Sequence, residues 1–198
     1  MRAMIATADT TLANAVWPAQ GSRLGILRPA ILAIVGSILL AVSAKINVPM
    51  WPVPMTMQTF AVTVIGMAYG WRLGGATLLL YLAEGAVGLP VFATGSGLVY
   101  MTGPTGGYLV GFLIAALFLG WTAERGWDRT PVHTAVAMIL GTALIFLFGV
   151  GWLAVFLGNL DKAMASGFYP FVVGGFVKVA LATLLMPSCW MLLRRFER

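Results

Sequence analysis

The sequence predicts an all-α polytopic membrane protein with six transmembrane helices, and three observations carry that prediction. Of 198 residues, 60% are hydrophobic and only 9% charged, with a mean hydropathy of +0.94; a soluble domain carries roughly a quarter charged residues. The apolar residues form long runs separated by Gly, Pro and Arg, and about 20 of them cross a hydrocarbon core about 30 Å thick. The cations gather at alternate breaks between those runs.

Taken in order, the runs predict helices over 27–46, 56–71, 74–90, 107–123, 132–157 and 170–193. Residues 1–26 are small and polar. With no apolar core followed by a small-residue cleavage site, they read as a loosely ordered cytoplasmic tail, with room for a short interfacial helix, rather than a signal peptide. Residues 27–198 then form a single membrane domain. The second and third helices are short, and Arg72, Gly74 and Gly75 are expected to make the turn between them.

Six spans put both termini on one side. That side collects Arg2, Arg23, Arg28, Arg72, Arg125, Arg129, Arg194, Arg195 and Arg198, nine in all, against Lys45 and Lys162 opposite. The asymmetry predicts cytoplasmic termini in a bacterial inner membrane. Two loops on the outer face are apolar yet cannot be helical: 47–55, broken by Pro49, Pro52 and Pro54, and 91–106, rich in Gly. Lipid cannot satisfy irregular backbone, so both loops must be buried in protein or line a cavity. They predict an outward-facing ligand pocket capped by the loop between the first two helices and the loop between the third and fourth.

Ionisable groups inside spans are rare and costly, which singles out Glu84 in the third helix and Lys178 in the sixth. Each lies about two turns from the outer end of its helix, so they share a depth either as a structural ion pair or as parts of a ligand site. Gln58 can bond a polar ligand or satisfy the first turn of its own helix. Trp51, Tyr81, Phe92 and Tyr108 can form aromatic walls or an interfacial belt. Ala33, Ser37, Ala41 and Ala44 lay small side chains along one face of the first helix, a close-packing surface for a neighbouring helix or for a partner subunit.

Other classes are excluded. One cysteine, Cys189, rules out an internal disulfide. His133 is the single histidine, so no His-based metal site is expected, and no phosphate-binding loop of the Gly-x-x-x-x-Gly-Lys type occurs. No nucleophile and base fall at catalytic spacing, which argues against an intramembrane enzyme acting on a lipid or prenyl substrate. Neither a cofactor nor nucleic acid is called for, since the +6 charge is spread between apolar runs. Asp161 and Lys162 read as a solvated pair in an outer loop.

The strings Val53-Pro54-Met55-Thr56-Met57-Gln58-Thr59, Gly88-Leu89-Pro90-Val91-Phe92-Ala93 and Gly103-Pro104-Thr105-Gly106-Gly107-Tyr108 closely resemble the BioY family. Its members are the biotin-binding S components of energy-coupling factor (ECF) transporters. The resemblance implies a six-helix protein that takes biotin from outside and works with a transmembrane coupling protein and two cytoplasmic ATPases. It also implies that the Ala33/Ser37/Ala41 stripe meets the coupling protein. The family usually carries Pro-Phe-x-x-Gly-Asp-x-x-Lys near its last helix, where the acid and the lysine help bind the ligand. Here Pro170-Phe171-Val172-Val173-Gly174-Gly175-Phe176-Val177-Lys178 keeps the lysine and puts Gly175 at the aspartate. The departure leaves an S component for another vitamin as an alternative, and the expectation for biotin is that Glu84 supplies the missing acceptor.

Overall fold

The structure, a computed structural model, describes residues 10–18, 25 and 27–196. Its elements are α1 (Leu12–Val16), α2 (Leu27–Lys45), a two-residue hairpin of β1 (Asn47–Val48) and β2 (Met55–Thr56), α3 (Gln58–Ala86), α4 (Gly97–Met101), α5 (Gly106–Ala123), α6 (Pro131–Leu157), α7 (Leu160–Gly167) and α8 (Tyr169–Phe196). The four helices α2, α5, α6 and α8 are long and apolar enough to cross a membrane. Their ends lie within a few residues of the expected ones, because the Pro and Gly breaks bounding each apolar run also end the helix.

Although continuous in hydrogen bonding, α3 is not straight. At Gly70 the backbone takes φ +81° and ψ 171°, well outside helical values. The Gln58 amide then lies 2.7 Å from the Tyr81 hydroxyl; a straight helix would hold those residues about 35 Å apart. The chain therefore folds back into two arms, 58–69 and 71–86. This corrects the expected turn at Arg72, Gly74 and Gly75. Those two glycines stay helical and serve packing instead: a Cβ on Gly74 would lie 3.2 Å from the Cα of Gly66 in the other arm, and one on Gly75 would strike Leu117. Of these three glycines, Gly70 alone has the positive φ that a side chain resists.

Helix α5 nests against both arms. A Cβ on Gly66 would come within 2.8 Å of the Ala116 Cα, and one on Gly120 within 2.2 Å of the Trp71 backbone nitrogen. Small residues at such crossings let backbones approach where no hydrophobic gain over lipid drives association. Helices α6 and α8 close the bundle, and their outer faces expose Leu147, Val173, Leu181 and Leu184.

Further structure lies outside the six expected helices. Residues 160–167 form a helix, not a plain loop; the Asn159 carboxamide oxygen accepts the Lys162 N–H at 2.9 Å, a side-chain N-cap. Asp161 and Lys162 are both exposed on it. The N-terminal tail is also less loose than expected at residues 10–17; its remaining stretches lie outside the described residues. Thr11 is buried against Gly70 and Leu12 enters the core, while an Arg28 guanidinium nitrogen donates to Ala13 O at 2.7 Å and Asn14 Oδ1 at 3.0 Å.

The core divides by depth. One cluster, built on Tyr81, Phe92, Tyr108, Phe112 and Ile145, lies toward the hairpin loops. The other, built on Met67, Leu119, Met138, Met186 and Trp190, lies toward the termini. At that second end, Asp128 in the α5–α6 turn is fully buried; one carboxylate oxygen accepts the Trp190 indole N–H at 2.6 Å and the other has no protein partner. Burial pushes its pKa up to about 6, against the opposing pull of Trp190 and Arg129.

Replacing Gly120 by Ala forces a methyl into backbone and is expected to destabilise the protein by about 1–3 kcal/mol, read as a lower thermal midpoint in detergent. Asp128 has the opposite sign from a salt-bridged acid. Its folded-state pKa exceeds the unfolded one, so the charged form penalises the fold above about pH 6 and the penalty fades as pH falls toward 4. The thermal midpoint of Asp128→Asn, relative to the parent, is expected to be higher near neutral pH and to converge on the parent in acid.

Candidate functional site

A cavity opens beneath the β1–β2 hairpin, between the first arm of α3, α5, α6 and α8. It holds about 470 Å³ of space, part of it continuous with solvent, and is narrow throughout. Its roof is Val53, Pro54 and Ala93 from the two irregular loops with Tyr100 from α4, and its walls include Tyr108, Phe112, Phe146 and Phe171. The polar groups are few: Lys178, Gln58, Thr56, Thr59 and Thr105. An apolar cup with a handful of oriented polar atoms is the usual design of a small-molecule site.

Lys178 reaches the cavity from α8. Its ammonium donates to Thr56 O at 2.5 Å and to Thr59 Oγ1 at 3.1 Å. An ammonium has three N–H donors, so one remains for a ligand, and among the described residues no acidic side chain pairs with it.

Gln58 presents the complementary atom, and its orientation follows from its neighbours. Tyr81 Oη donates to Val91 O at 2.9 Å. A carbonyl can only accept, so the tyrosine hydrogen is committed there and its oxygen must accept from Gln58 Nε2, 2.7 Å away. That fixes the amide flip. Gln58 Oε1 is left with no protein partner, yet it is not among the sealed polar atoms that lack one, so it faces the cavity. The cavity thus offers a fixed acceptor, a cationic donor and aromatic walls.

Of the residues singled out in the sequence, Lys178, Gln58 and Tyr108 line the cavity together. The Tyr108 hydroxyl donates to Gly167 O at 2.7 Å, holding α7 against the rim. Tyr81 stands behind Gln58 as a positioning group. Phe92 is fully buried in a second row, stacked on Tyr100 at 5.0 Å and seated over Gly85, where a Cβ would penetrate its ring. Trp51 is 86% exposed and lines nothing.

Glu84 requires a correction. Its carboxylate turns away from the cavity and accepts the Ser37 hydroxyl of α2. It neither pairs with Lys178 nor stands near Gly175, because it points from the second arm of α3 toward α2. The same bond settles the small-residue stripe: Ala33, Ser37 and Ala44 are buried and Ala41 is half-buried against the core. In this structure the stripe packs mainly against its own chain, with Ala41 still partly open. Gly175 leaves real room; a Cβ there would meet only Phe146 Cε2, at 4.0 Å, beside a smaller recess shared with Thr63, Thr142 and Lys178. His133 Nδ1 lies 2.7 Å from Thr130 Oγ1 in the α5–α6 turn, and no cluster able to hold a metal occurs among the described residues.

Residues the sequence reading missed are Thr56, Thr59, Tyr100, Thr105, Phe112, Phe146 and Phe171. Thr56, Thr59, Thr105 and Phe171 sit inside motifs already quoted and were within reach. Phe112 and Phe146 lie on helices that are apolar all round, where no periodicity marks the inner face. Tyr100 arrives on α4, a helix of five residues in a segment read as loop.

Similarity to known proteins extends over most of the chain. A profile of the BioY family matches residues 10–195. The probable biotin transporter BioY of Pyrococcus horikoshii is 40% identical over 148 residues, 74% of this chain and 86% of that one. The biotin transporter BioY of Thermotoga maritima is 34% identical over 160 residues, 80% and 94% of the two chains. A crystal structure at 2.1 Å of the S-component for biotin from an ECF-type ABC transporter superposes with a TM-score of 0.71 at 19% identity. It covers 85% of this chain and 93% of that one, and so shares the fold.

Replacing Ser37 by Ala removes the donor that Glu84 uses. The expected result is a loss of about 1–3 kcal/mol, seen as a lower thermal midpoint.

Proposed function

The chain belongs to the BioY family, and from that premise we propose that it captures biotin on the outer side of the cytoplasmic membrane, as the S component of an ECF-type transporter. The observation that carries this reading is the pairing of Gln58 Oε1 with the spare N–H of Lys178 in one aromatic-walled cavity. Biotin's ureido ring offers two N–H donors and one carbonyl acceptor, and its valerate tail ends in a carboxylate. Gln58 Oε1 accepts a ureido N–H. Lys178 donates to the ureido oxygen or the carboxylate through a charge-assisted bond, roughly twice as strong as a neutral one. Tyr108, Phe112, Phe146 and Phe171 cradle the bicycle. Gln58 therefore takes the acceptor role expected of Glu84, and no covalent chemistry is involved.

In this reading the two arms of α3 cross the membrane as the second and third of six spans. Each arm is short, but its neighbours α2 and α5 cover it, so its ends need not meet lipid. Nine arginines on the side of the termini against two lysines opposite support cytoplasmic termini and a cavity that opens outward. Residues 27–198 act as one membrane domain, and residues 11–16 pack against its end that carries the termini. A coupling protein and two cytoplasmic ATPases are the proposed partners; with the α2 stripe packed mainly against its own chain, the inner ends of the helices are where they would dock. The cavity is too narrow to admit the bicycle as it stands, so the 49–54 and 87–96 loops must yield on entry.

Equilibrium binding of biotin to the detergent-purified chain tests the proposal. Lys178→Ala is expected to weaken binding by about ten- to a hundredfold and Gln58→Ala by about tenfold, in line with charged and neutral bonds. Glu84→Gln should stay close to the parent. Absence of biotin binding by the folded parent would overturn the function, and loss of binding in Glu84→Gln alone would overturn the assignment of Gln58.

A further inference from the structure

We propose that a groove between α5 and the start of the second α3 arm, at the end that carries the termini, binds one anionic phospholipid. Its acyl chains lie against Trp71, Leu117, Phe118 and Trp121, and its phosphate is held by Arg72 and Arg125. The proposal does not depend on the biotin reading.

The groove is wide open along one side, spans about 770 Å³ including that open space, and is lined by those four apolar side chains alone. Trp71 and Trp121 are each more than a third exposed, and Phe118 stacks on Trp121 at 6.3 Å. The close approach of Gly120 to the Trp71 backbone brings the two tryptophan walls together. Each wall carries a cation. The Arg125 guanidinium lies 3.7 Å from the centre of the Trp121 ring and also donates to Trp121 O at 3.1 Å. The Arg72 guanidinium lies 5.1 Å from the Trp71 ring centre.

These arginines are exposed, and among the described residues neither has an acidic partner. The nearby acid, Glu124, uses Oε1 to accept the Trp71 N–H at 3.3 Å, where the second arm begins. Two guanidiniums against one engaged carboxylate leave the rim positive, while the groove below it is apolar. That is the charge pattern of a phospholipid, and arginine suits phosphate because its planar fork binds oxygens in pairs. Zwitterionic headgroups add a cation that such a rim opposes. Basic rims above apolar clefts at the cytoplasmic surface recur as sites for anionic lipid.

Delipidated full-length protein in a neutral detergent is titrated with phosphatidylglycerol or phosphatidylcholine of identical acyl chains, and bound lipid is counted by native mass spectrometry. The parent is expected to retain phosphatidylglycerol in preference to phosphatidylcholine. Arg72→Gln with Arg125→Gln should cut that preference by roughly ten- to thirtyfold. Arg194→Gln with Arg195→Gln, which removes two exposed charges elsewhere, should leave it in place. Equal retention of the two lipids by the parent, or equal loss of preference in both double variants, would overturn the site. Thermal midpoints of all four proteins show that each is folded, and Arg72→Lys with Arg125→Lys, which keeps the charge but loses the planar fork, is expected to recover only part of the preference.

Discussion

The reversal at Gly70 is the constraint from which the remaining packing follows. Because the chain turns back there, the two arms of α3 lie side by side and present a notch of small residues to α5. Gly66, Gly74 and Gly120 remove the side chains that would hold these backbones apart. The turn also sets the upper end of the hairpin, where Gln58 and Tyr81 meet although 23 positions separate them. At the lower end it provides the seat for Thr11 and the groove wall at Trp71. One residue free to take positive φ thus positions both the cavity under the hairpin and the surface at the end that carries the termini.

The cavity is built from neutral groups around one charge. A lone ammonium inside a membrane protein is costly, and here two oxygens from the first arm and its approach share the load, Thr56 O and Thr59 Oγ1. A full carboxylate beside Lys178 would neutralise it; Gly175 leaves that position open, and the room next to Phe146 is retained. The acceptor comes instead from Gln58, held in one orientation by the chain of bonds from Val91 O through Tyr81. Preorganisation of this kind lowers the ordering cost of binding.

The two ends of the bundle differ in chemistry. Around the cavity the buried polar atoms are satisfied by threonine, tyrosine and glutamine. Toward the termini, charge dominates: Arg28 anchors α1, Asp128 is buried under Trp190, and Arg129 lies 4.7 Å above the same indole ring. Aromatic–arginine pairs at Trp71 and Trp121 continue that belt around the outside. An end rich in arginine and tryptophan fits an interface with anionic headgroups.

Read alone, the sequence determined the class, the four long helices and the family, and it singled out Lys178, Gln58 and Tyr108, which the structure brings to one cavity, because hydropathy runs, helix breakers and short motifs are local properties. It also located the two loops that roof the cavity, since apolar backbone that cannot be helical has to be enclosed. Which of three neighbouring glycines turns the chain was not legible: Gly70, Gly74 and Gly75 are alike in sequence and differ only in what stands opposite them. Nor was the direction of Glu84, whose place on its helix suits a pocket as well as a neighbour until α2 supplies Ser37 on the other side. The inner faces of α5 and α6 were hidden for the same reason. In a helix apolar all round, only contact with the other helices decides which side chains meet a ligand and which meet lipid.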